Sequence, residues 1–383
     1  MPAAAAEPGV SDATAQRIVD VSATPISIPL DTAVRFSTRG VQAREYVIVT
    51  IVCEDGERGT GYTYAGTTGA AATAVFVMTC LRPSLRGRLC NPAKIWDLLY
   101  RETLLAGRRG MGLRAISAVD LAIWDLLGKR HGLPLYALLG GTREPVRAYA
   151  SGGYYRPGSA VDNVERELSR YAELGFTDFK IKVGGADLDV DVDRVRAARN
   201  IVGQRGRLAL DANNAWPSAR EALRFIAAVE RFDPWWIEEP LMPDDVHGHA
   251  EIRRRSSVPI ATGEIHATRW DFRDLISADA ADILQPDACV VGGVSEWMKV
   301  ANTASVFGLP VAPHWNANVH VHLAAAVDNC LAIEYFSLDE DIFNFERVLA
   351  ERLAPEEGSL LPPARPGLGL LFDEAAVESY RIS

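Results

Sequence analysis

Phe179-Lys180-Ile181-Lys182-Val183, Leu208-Ala209-Leu210-Asp211, Trp235-Trp236-Ile237-Glu238-Glu239-Pro240 and Ile260-Ala261-Thr262-Gly263-Glu264 follow one another in the second half of the chain. Ile283-Leu284-Gln285-Pro286-Asp287, Val311-Ala312-Pro313-His314 and Leu331-Ala332-Ile333-Glu334 continue the series. Each is a short apolar run, and Gly and Pro punctuate the chain around them, which is the pattern of buried parallel strands. Each carries an ionisable residue at or next to its end, a costly place for charge unless it has a task. An eighth run, from Arg147 to Ser151, precedes them, and strand centres recur every 21 to 32 residues. That step fits one strand plus one helix. Helical material is expected at Val164 to Leu174, Val190 to Ile201, Ala219 to Phe232 and Ser295 to Phe307. Eight such units predict an α/β chain built on a (β/α)8 barrel, with polar groups gathered at the C-terminal strand ends.

Outward from this core, Gly140-Gly141 and Pro145 mark a boundary. The sequence predicts three parts: an α+β domain over 1–140, a barrel over 141–345, and a C-terminal segment over 346–383 that returns to the first domain. Residues 1–14 read as a flexible tail. Residues 17–29, Tyr46 to Val52 and Gly59 to Tyr64 read as strands of an antiparallel meander. Between the first two, 30–45 reads as a long polar loop. Helices are expected over 92–104 and 114–130. In the second, Ile116, Val119, Ile123 and Leu126-Leu127 form an apolar stripe, with Asp120, Asp125 and Lys129 off it.

With 383 residues, 48% hydrophobic and 23% charged, the chain is in the globular range. A net charge of −10 argues against nucleic acid as a partner. The Arg253-Arg254-Arg255 run reads as a solvated helix face. Cys53, Cys80, Cys90, Cys289 and Cys330 are odd in number and form no C-x-x-C pair, which predicts reduced core thiols in a cytoplasmic protein. No apolar run approaches ~18 residues, so no membrane span is expected.

Asp211, Glu238 and Glu264 end three consecutive strands. Strands lie ~4.8 Å apart, so three carboxylates there repel one another unless a cation sits between them. Ligands that are all oxygen favour Mg2+ over Zn2+. Lys180 and Lys182, two apart on one strand, both face the barrel interior. Each ammonium is expected to depress the pKa of the other, which suits Lys182 to act as a base. His314 and Asp287 end adjacent strands, where the carboxylate can hold the imidazole. Glu334 is placed to hydrogen-bond at the site, and Asn213 to contact substrate. Glu239 is expected in structural ion pairs. His320 and His322 form an H-x-H that falls where helix is expected, and His247-Gly248-His249 reads as a surface loop.

Lys180-Ile181-Lys182, Asp211-Ala212-Asn213, Glu238-Glu239-Pro240, Gly263-Glu264, Asp287, His314 and Glu334, in this order and spacing, resemble the enolase superfamily, within it the mandelate racemase subgroup. The 116–128 helix and the Pro366-Gly367-Leu368-Gly369 coda are also similar to that family. The pattern of a Lys or His base with Mg2+ is described for enolase-superfamily sites generally. The resemblance implies a modified TIM barrel under an N-terminal capping domain. It implies Mg2+ held by Asp211, Glu238 and Glu264, and removal of the proton α to a carboxylate. Lys182 is then the base, with Lys180 adding positive charge and contacting the substrate. His314, held by Asp287, is the acid on the opposite face, and Glu334 protonates or hydrogen-bonds the enediolate oxygen. Dehydration of a sugar acid is the favoured outcome. Arg35, Arg39, Tyr154, Tyr155, Asn213 and Asn316 suit a polyol, and specificity is expected in 30–45 and in Tyr154 to Arg156. Racemisation or epimerisation of a 2-hydroxy acid is the alternative. Lactone-forming relatives carry a lysine in place of His314. A zinc hydrolase using His320 and His322 is a remote third reading. The family also implies a homo-oligomer.

Overall fold

The computed structural model describes residues 16–383; the expected tail over 1–14 lies outside the described residues. Three antiparallel strands open the chain: β1 (Ile18–Arg35), β2 (Gly40–Cys53) and β3 (Arg58–Gly66). The expected loop over 30–45 is in fact the end of a β-hairpin. β1 runs to Arg35 and pairs Val34 with Val41 and Arg35 with Gly40, beyond a register shift between Pro29 and Val34. The bulge breaks the two-residue alternation, so the strand pattern is lost from the sequence there. Only Phe36–Arg39 turns, with the Phe36 N–H donating to the Arg39 carbonyl at 3.1 Å.

The Met111–His131 helix packs on β3. Gly61 permits the approach: a Cβ there would lie 2.3 Å from the Ala118 carbonyl. The helix is buried on nearly every side, because barrel elements cover the face away from the sheet. Asp120 and Asp125, off the apolar stripe, are therefore both only 2% exposed. Asp125 takes the N–H groups of Thr60 and Leu368, each at 2.8 Å, and ties sheet, helix and coda together. The Pro92–Glu102 helix starts at Asn91, whose side chain accepts the Lys94 N–H, with Pro at the first helical position.

Six parallel strands run side by side in the barrel: β4 (Val146–Gly152), β5 (Phe179–Lys182), β6 (Leu208–Asp211), β7 (Ile237–Glu238), β8 (Ile260–Thr262) and β9 (Ile283–Leu284). β10 (Ile333–Tyr335) pairs with β4 and closes the ring. The expected seventh strand, near 311, is reduced to single bridges from Val311 to Leu284 and to Cys330. Pro310 and Pro313 bracket Val311 and Ala312, and a residue without an N–H cannot extend a ladder. The period of two sets the interior. Tyr149, Ala209, Trp236, Ala261, Ile283, Ala312 and Ala332 form its apolar layer. Two residues beyond Ala209 and Trp236 come Asp211 and Glu238, so charge sits directly above that layer. Leu208, Leu210, Ile237 and Ile260 face outward to the helices.

The coda divides its contacts. β11 (Pro355–Glu356) and β12 (Ser359–Leu360) form a hairpin whose second strand pairs with β4, so this part joins the barrel and not the first domain. Farther on, Leu135 donates to the Gly367 carbonyl at 2.8 Å and Ile382 to Pro25 at 3.0 Å. All five thiols are free, with the Cys53 and Cys90 sulfurs 3.3 Å apart; Cys80 is exposed and is no core thiol. Among the described residues no helix is long and apolar enough to cross a membrane.

Asp120 joins the two units. Its oxygens accept the Ser295 N–H at 2.9 Å and the Ser295 hydroxyl at 2.7 Å. Burial raises its pKa to about 7, against the pull of those hydrogen bonds. The folded chain thus binds this proton more tightly than the unfolded chain does. The stabilisation it gives is complete below the ordinary Asp pKa and is lost as pH rises through about 7. Thermal melts from pH 4 to 8 should show a decline across this window that is shallower in Asp120→Asn; an unchanged slope would remove Asp120 as its source.

Candidate active site

Parallel register brings the charged strand ends together. Lys182 on β5 lies beside Asp211 on β6, and Asp211 beside Glu238 on β7. Oxygens of Asp211, Glu238 and Glu264 lie within 4.8 Å of one another. Lys180, fully buried, reaches Glu238 at 2.5 Å, Glu334 at 2.8 Å and Asp211 at 3.5 Å. Lys182 bonds Asp211. Two ammonium groups face four carboxylates here, counting Asp211, Glu238, Glu264 and Glu334, so two negative charges are left over. Burial, then the neighbouring Asp211, raises the Glu238 pKa to about 8. The excess charge keeps a proton at the centre, and a divalent cation would displace it. One Glu264 oxygen, Oε2, is buried without a hydrogen bond and has only the His314 ring beside it, at 3.4 Å. The donor set therefore fits a hard divalent ion.

The lysines do not depress each other as expected. Burial lowers Lys182, but Asp211 outweighs it and raises the pKa, with Lys180 a smaller opposing influence. Lys180 is raised too: burial opposes, and Glu238 and Glu334 prevail. The carboxylates bonded to each ammonium are the stronger influence. Lys180 is enclosed by them and does not line the cavity, so its place is that of a counter-ion and not a substrate contact. Glu334 likewise is engaged, by Lys180 and by the Trp315 N–H at 2.7 Å. Burial raises its pKa, but Lys180 and other cations bring it to about 2, which opposes a proton-donor role.

His314 Nδ1 lies 3.0 Å from Asp287 Oδ2, and its Nε2 lies 3.4 Å from Glu264. Burial lowers the imidazole pKa, yet Glu264 and Asp287 lift it to about 9, so the ring is protonated at neutral pH. Asn316 donates to both Asp287 oxygens at 3.0 Å; it holds Asp287 and is not a polyol contact. His320 and His322 lie on the Ala317–Ala324 helix, both buried. His320 lies 3.0 Å from the Ala288 N–H and 3.3 Å from the Trp315 carbonyl. His322 lies 3.3 Å from the Tyr136 N–H and 3.1 Å from the Leu368 carbonyl. Both ring nitrogens of each are thus committed to backbone, which removes the zinc reading. His249 is no loop residue either: it is buried on the Val246–Arg255 helix.

A cavity of ≈ 170 Å³ opens above the carboxylates, between the barrel mouth and the first domain. Lys182, Asn213, Glu264, His314, Tyr154 and Arg39 line it. The Phe36–Arg39 turn closes one side: Ser37 and Thr38 hydroxyls donate to the Asn213 carbonyl at 3.3 and 3.4 Å. Arg35 and Tyr155 are not in the cavity. They pair backbone to backbone, and Arg35 reaches the Gly185 carbonyl at 2.7 Å, clamping the turn to the barrel. Glu239 was expected in ion pairs. It lines the cavity instead, wholly buried, with no partner on either oxygen. Asn213, Asn214, Glu239 and Trp315 all line it with φ between 42° and 63°. Side chains other than Gly rarely take that conformation, and such strain gathers at functional sites. Arg44, Tyr64 and Arg114 also line the cavity and were not foreseen. The one signal was a charged residue two before Tyr46 on a β-branched strand.

Residues 16–140 match the family described as mandelate racemase / muconate lactonizing enzyme, N-terminal domain, and residues 163–376 match Enolase C-terminal domain-like. The chain belongs to the mandelate racemase / muconate lactonizing enzyme family of the enolase superfamily. It is 37% identical over 292 residues to arabinonate dehydratase of Saccharolobus solfataricus, which covers 75% of this chain and 77% of that protein. It is also 37% identical over 348 residues to 3,6-anhydro-alpha-L-galactonate cycloisomerase of Streptomyces coelicolor, covering 90% and 94%. Among solved structures, L-talarate/galactarate dehydratase from Salmonella typhimurium LT2, liganded with Mg and L-lyxarohydroxamate, superposes with a TM-score of 0.89 at 30% identity, covering 100% of this chain and 97% of that one.

This member of the family should be stabilised by Mg2+. At a hundredfold excess over Kd, binding to the folded state alone adds about 2.7 kcal/mol. The melting temperature should rise, and Glu264→Ala should abolish the rise; an equal rise in that variant would remove Glu264 as a ligand. Lys180→Met should be more disruptive than Lys182→Met, because it leaves Glu238 and Glu334 buried without a cation, at a cost of about 3–5 kcal/mol. Equal melting temperatures for the two would contradict the counter-ion role.

Proposed function

We propose that this enzyme is a Mg2+-dependent dehydratase of a sugar acid. The observation that supports it best is the pairing of Lys182 and His314 in one cavity, on either side of Asp211, Glu238 and Glu264 around the ring. Mg2+ held by Asp211, Glu238 and Glu264 would supply positive charge to the substrate carboxylate. Lys182 acts in its neutral form, its own proton having passed to solvent, and its Nζ receives the α-proton. His314, protonated and fixed by Asp287, gives its Nε2 proton to the departing hydroxyl on the β-carbon. Lys180 balances the buried charge. Water is excluded by the Phe36–Arg39 turn, seated on the Asn213 carbonyl. The arabinonate dehydratase relationship supports elimination. The cycloisomerase relationship supports a second reading, an isomerisation that begins with the same α-proton abstraction by Lys182.

Incubation with a sugar-acid library should yield a 2-keto product that forms a semicarbazone, and chelation should stop it. In His314→Asn turnover should fall by roughly two to four orders of magnitude, the usual worth of a general acid, while exchange of the substrate α-proton with deuterated solvent persists. Lys182→Ala should lose both. Exchange kept in Lys182→Ala but lost in His314→Asn would reverse the two roles. An isomer formed without loss of water would replace the dehydratase reading by the isomerase one.

A further inference from the structure

Arg44 is 3% exposed, at the face of β2 turned to the barrel. A buried guanidinium ordinarily has a carboxylate partner, and Arg194, 1% exposed, follows this rule: it bonds Asp191 at 2.8 Å. Arg44 does not. Its Nε donates to the Ile342 carbonyl at 3.0 Å and its Nη1 to the Tyr64 hydroxyl at 2.7 Å. The guanidinium lies 4.5 Å from the Trp315 ring centre. Its Nη2 has no hydrogen-bond partner at all. Two more arginines line the same cavity. Arg114 donates to the Tyr64 carbonyl at 2.6 Å, and Arg39 lies 5.7 Å from the Phe36 ring centre. Among the described residues none of the three is in an ion pair.

The cavity is therefore polarised. Barrel strand ends bring carboxylates to its floor, and the first domain brings three uncompensated guanidinium groups to its roof. A metal-held carboxylate accounts for the floor only. The rings of Tyr64 and Trp315 hold Arg44 in a fixed plane, which suits a planar anion approached edge-on. A neutral hydroxyl would satisfy the free N–H but would leave the charge unbalanced in a buried place.

Resting on the reading above, we infer that Arg44, assisted by Arg39 and Arg114, binds a second anionic group at the far end of the substrate, so that the preferred sugar acid is a dianion. A terminal carboxylate or a phosphate ester carries the same chemistry. The test compares an aldonate, the matching aldarate and the matching terminal phosphate ester, in one stereochemical series. Turnover is followed in the Mg2+-loaded enzyme. Binding is followed by calorimetry in Lys182→Ala, which does not require turnover. A dianion should bind more tightly than the aldonate, and whether carboxylate or phosphate binds better names the source. Arg44→Met should weaken the dianion more than the aldonate, by on the order of 10- to 100-fold, as befits one charge-assisted hydrogen bond. The loss should appear in KM and Kd more than in kcat, and Arg44→Lys should recover part of it. Equal weakening of aldonate and dianion, or no dianion preference in the unsubstituted binding site, would overturn the inference. If dianions bind through Arg44 but no water is lost, the inference stands and the dehydratase reading falls. Circular dichroism of both Arg44 variants separates a lost anion contact from a lost fold; a folded Arg44→Met with undiminished dianion binding also overturns it.

Discussion

The Lys180 ammonium, sealed among Glu238, Glu334 and Asp211, is the constraint from which the rest of the site follows. Carboxylates this deep are tolerable only with cations between them. Lys180 draws two to itself, and Lys182 shares Asp211, yet negative charge remains. That surplus is what makes the mouth of the barrel a place for a divalent ion, and burial together with the neighbouring Asp211 raises the Glu238 pKa to about 8. Gln285 and Trp236 add hydrogen bonds to the same Glu238 oxygen at 2.6 and 3.0 Å. The carboxylate is thus oriented from three directions before any ligand arrives, which lowers the reorganisation that binding requires.

The first domain completes the cavity. Alternate residues of β2 divide their work: Tyr46 and Ile48 pack toward the barrel side, and Val47, Val49 and Ile51 pack against the Met111–His131 helix. Arg44 falls in the first set. Because β1 and β2 pair again beyond the bulge, the Phe36–Arg39 turn is carried over the barrel mouth on paired strands and not on a free loop. Its position is fixed again by Arg35 against Tyr155 and Gly185. Coverage of the site is in this way a consequence of strand pairing far from it.

Strand ends were legible because the barrel repeats one rule. An apolar run of fixed period ending in charge can hardly be anything but a buried parallel strand with its last residue at the mouth. That rule located Asp211, Glu238, Glu264, Lys182, Asp287 and His314. It failed where the ladder does: Val311 holds only bridges, since prolines flank it, and the β1–β2 hairpin is interrupted by a bulge after Pro29. Alternation with the inward-facing Glu238 would turn Glu239 away from the interior, but its positive φ brings it into the cavity instead.

The sequence by itself determined the eightfold repeat, the order of charged strand ends, and hence which charged groups gather at the barrel mouth. These depend on local periodicity, which a single strand reveals. Tertiary structure decided the protonation of those groups and the contents of the roof. A pKa depends on distances to charges hundreds of residues away, and Lys182 is raised where the lysine pair alone would have lowered it. Whether Arg44 is a surface charge or an unpaired buried one depends on Ile342, Tyr64 and Trp315, residues brought to it only when the first domain closes on the barrel.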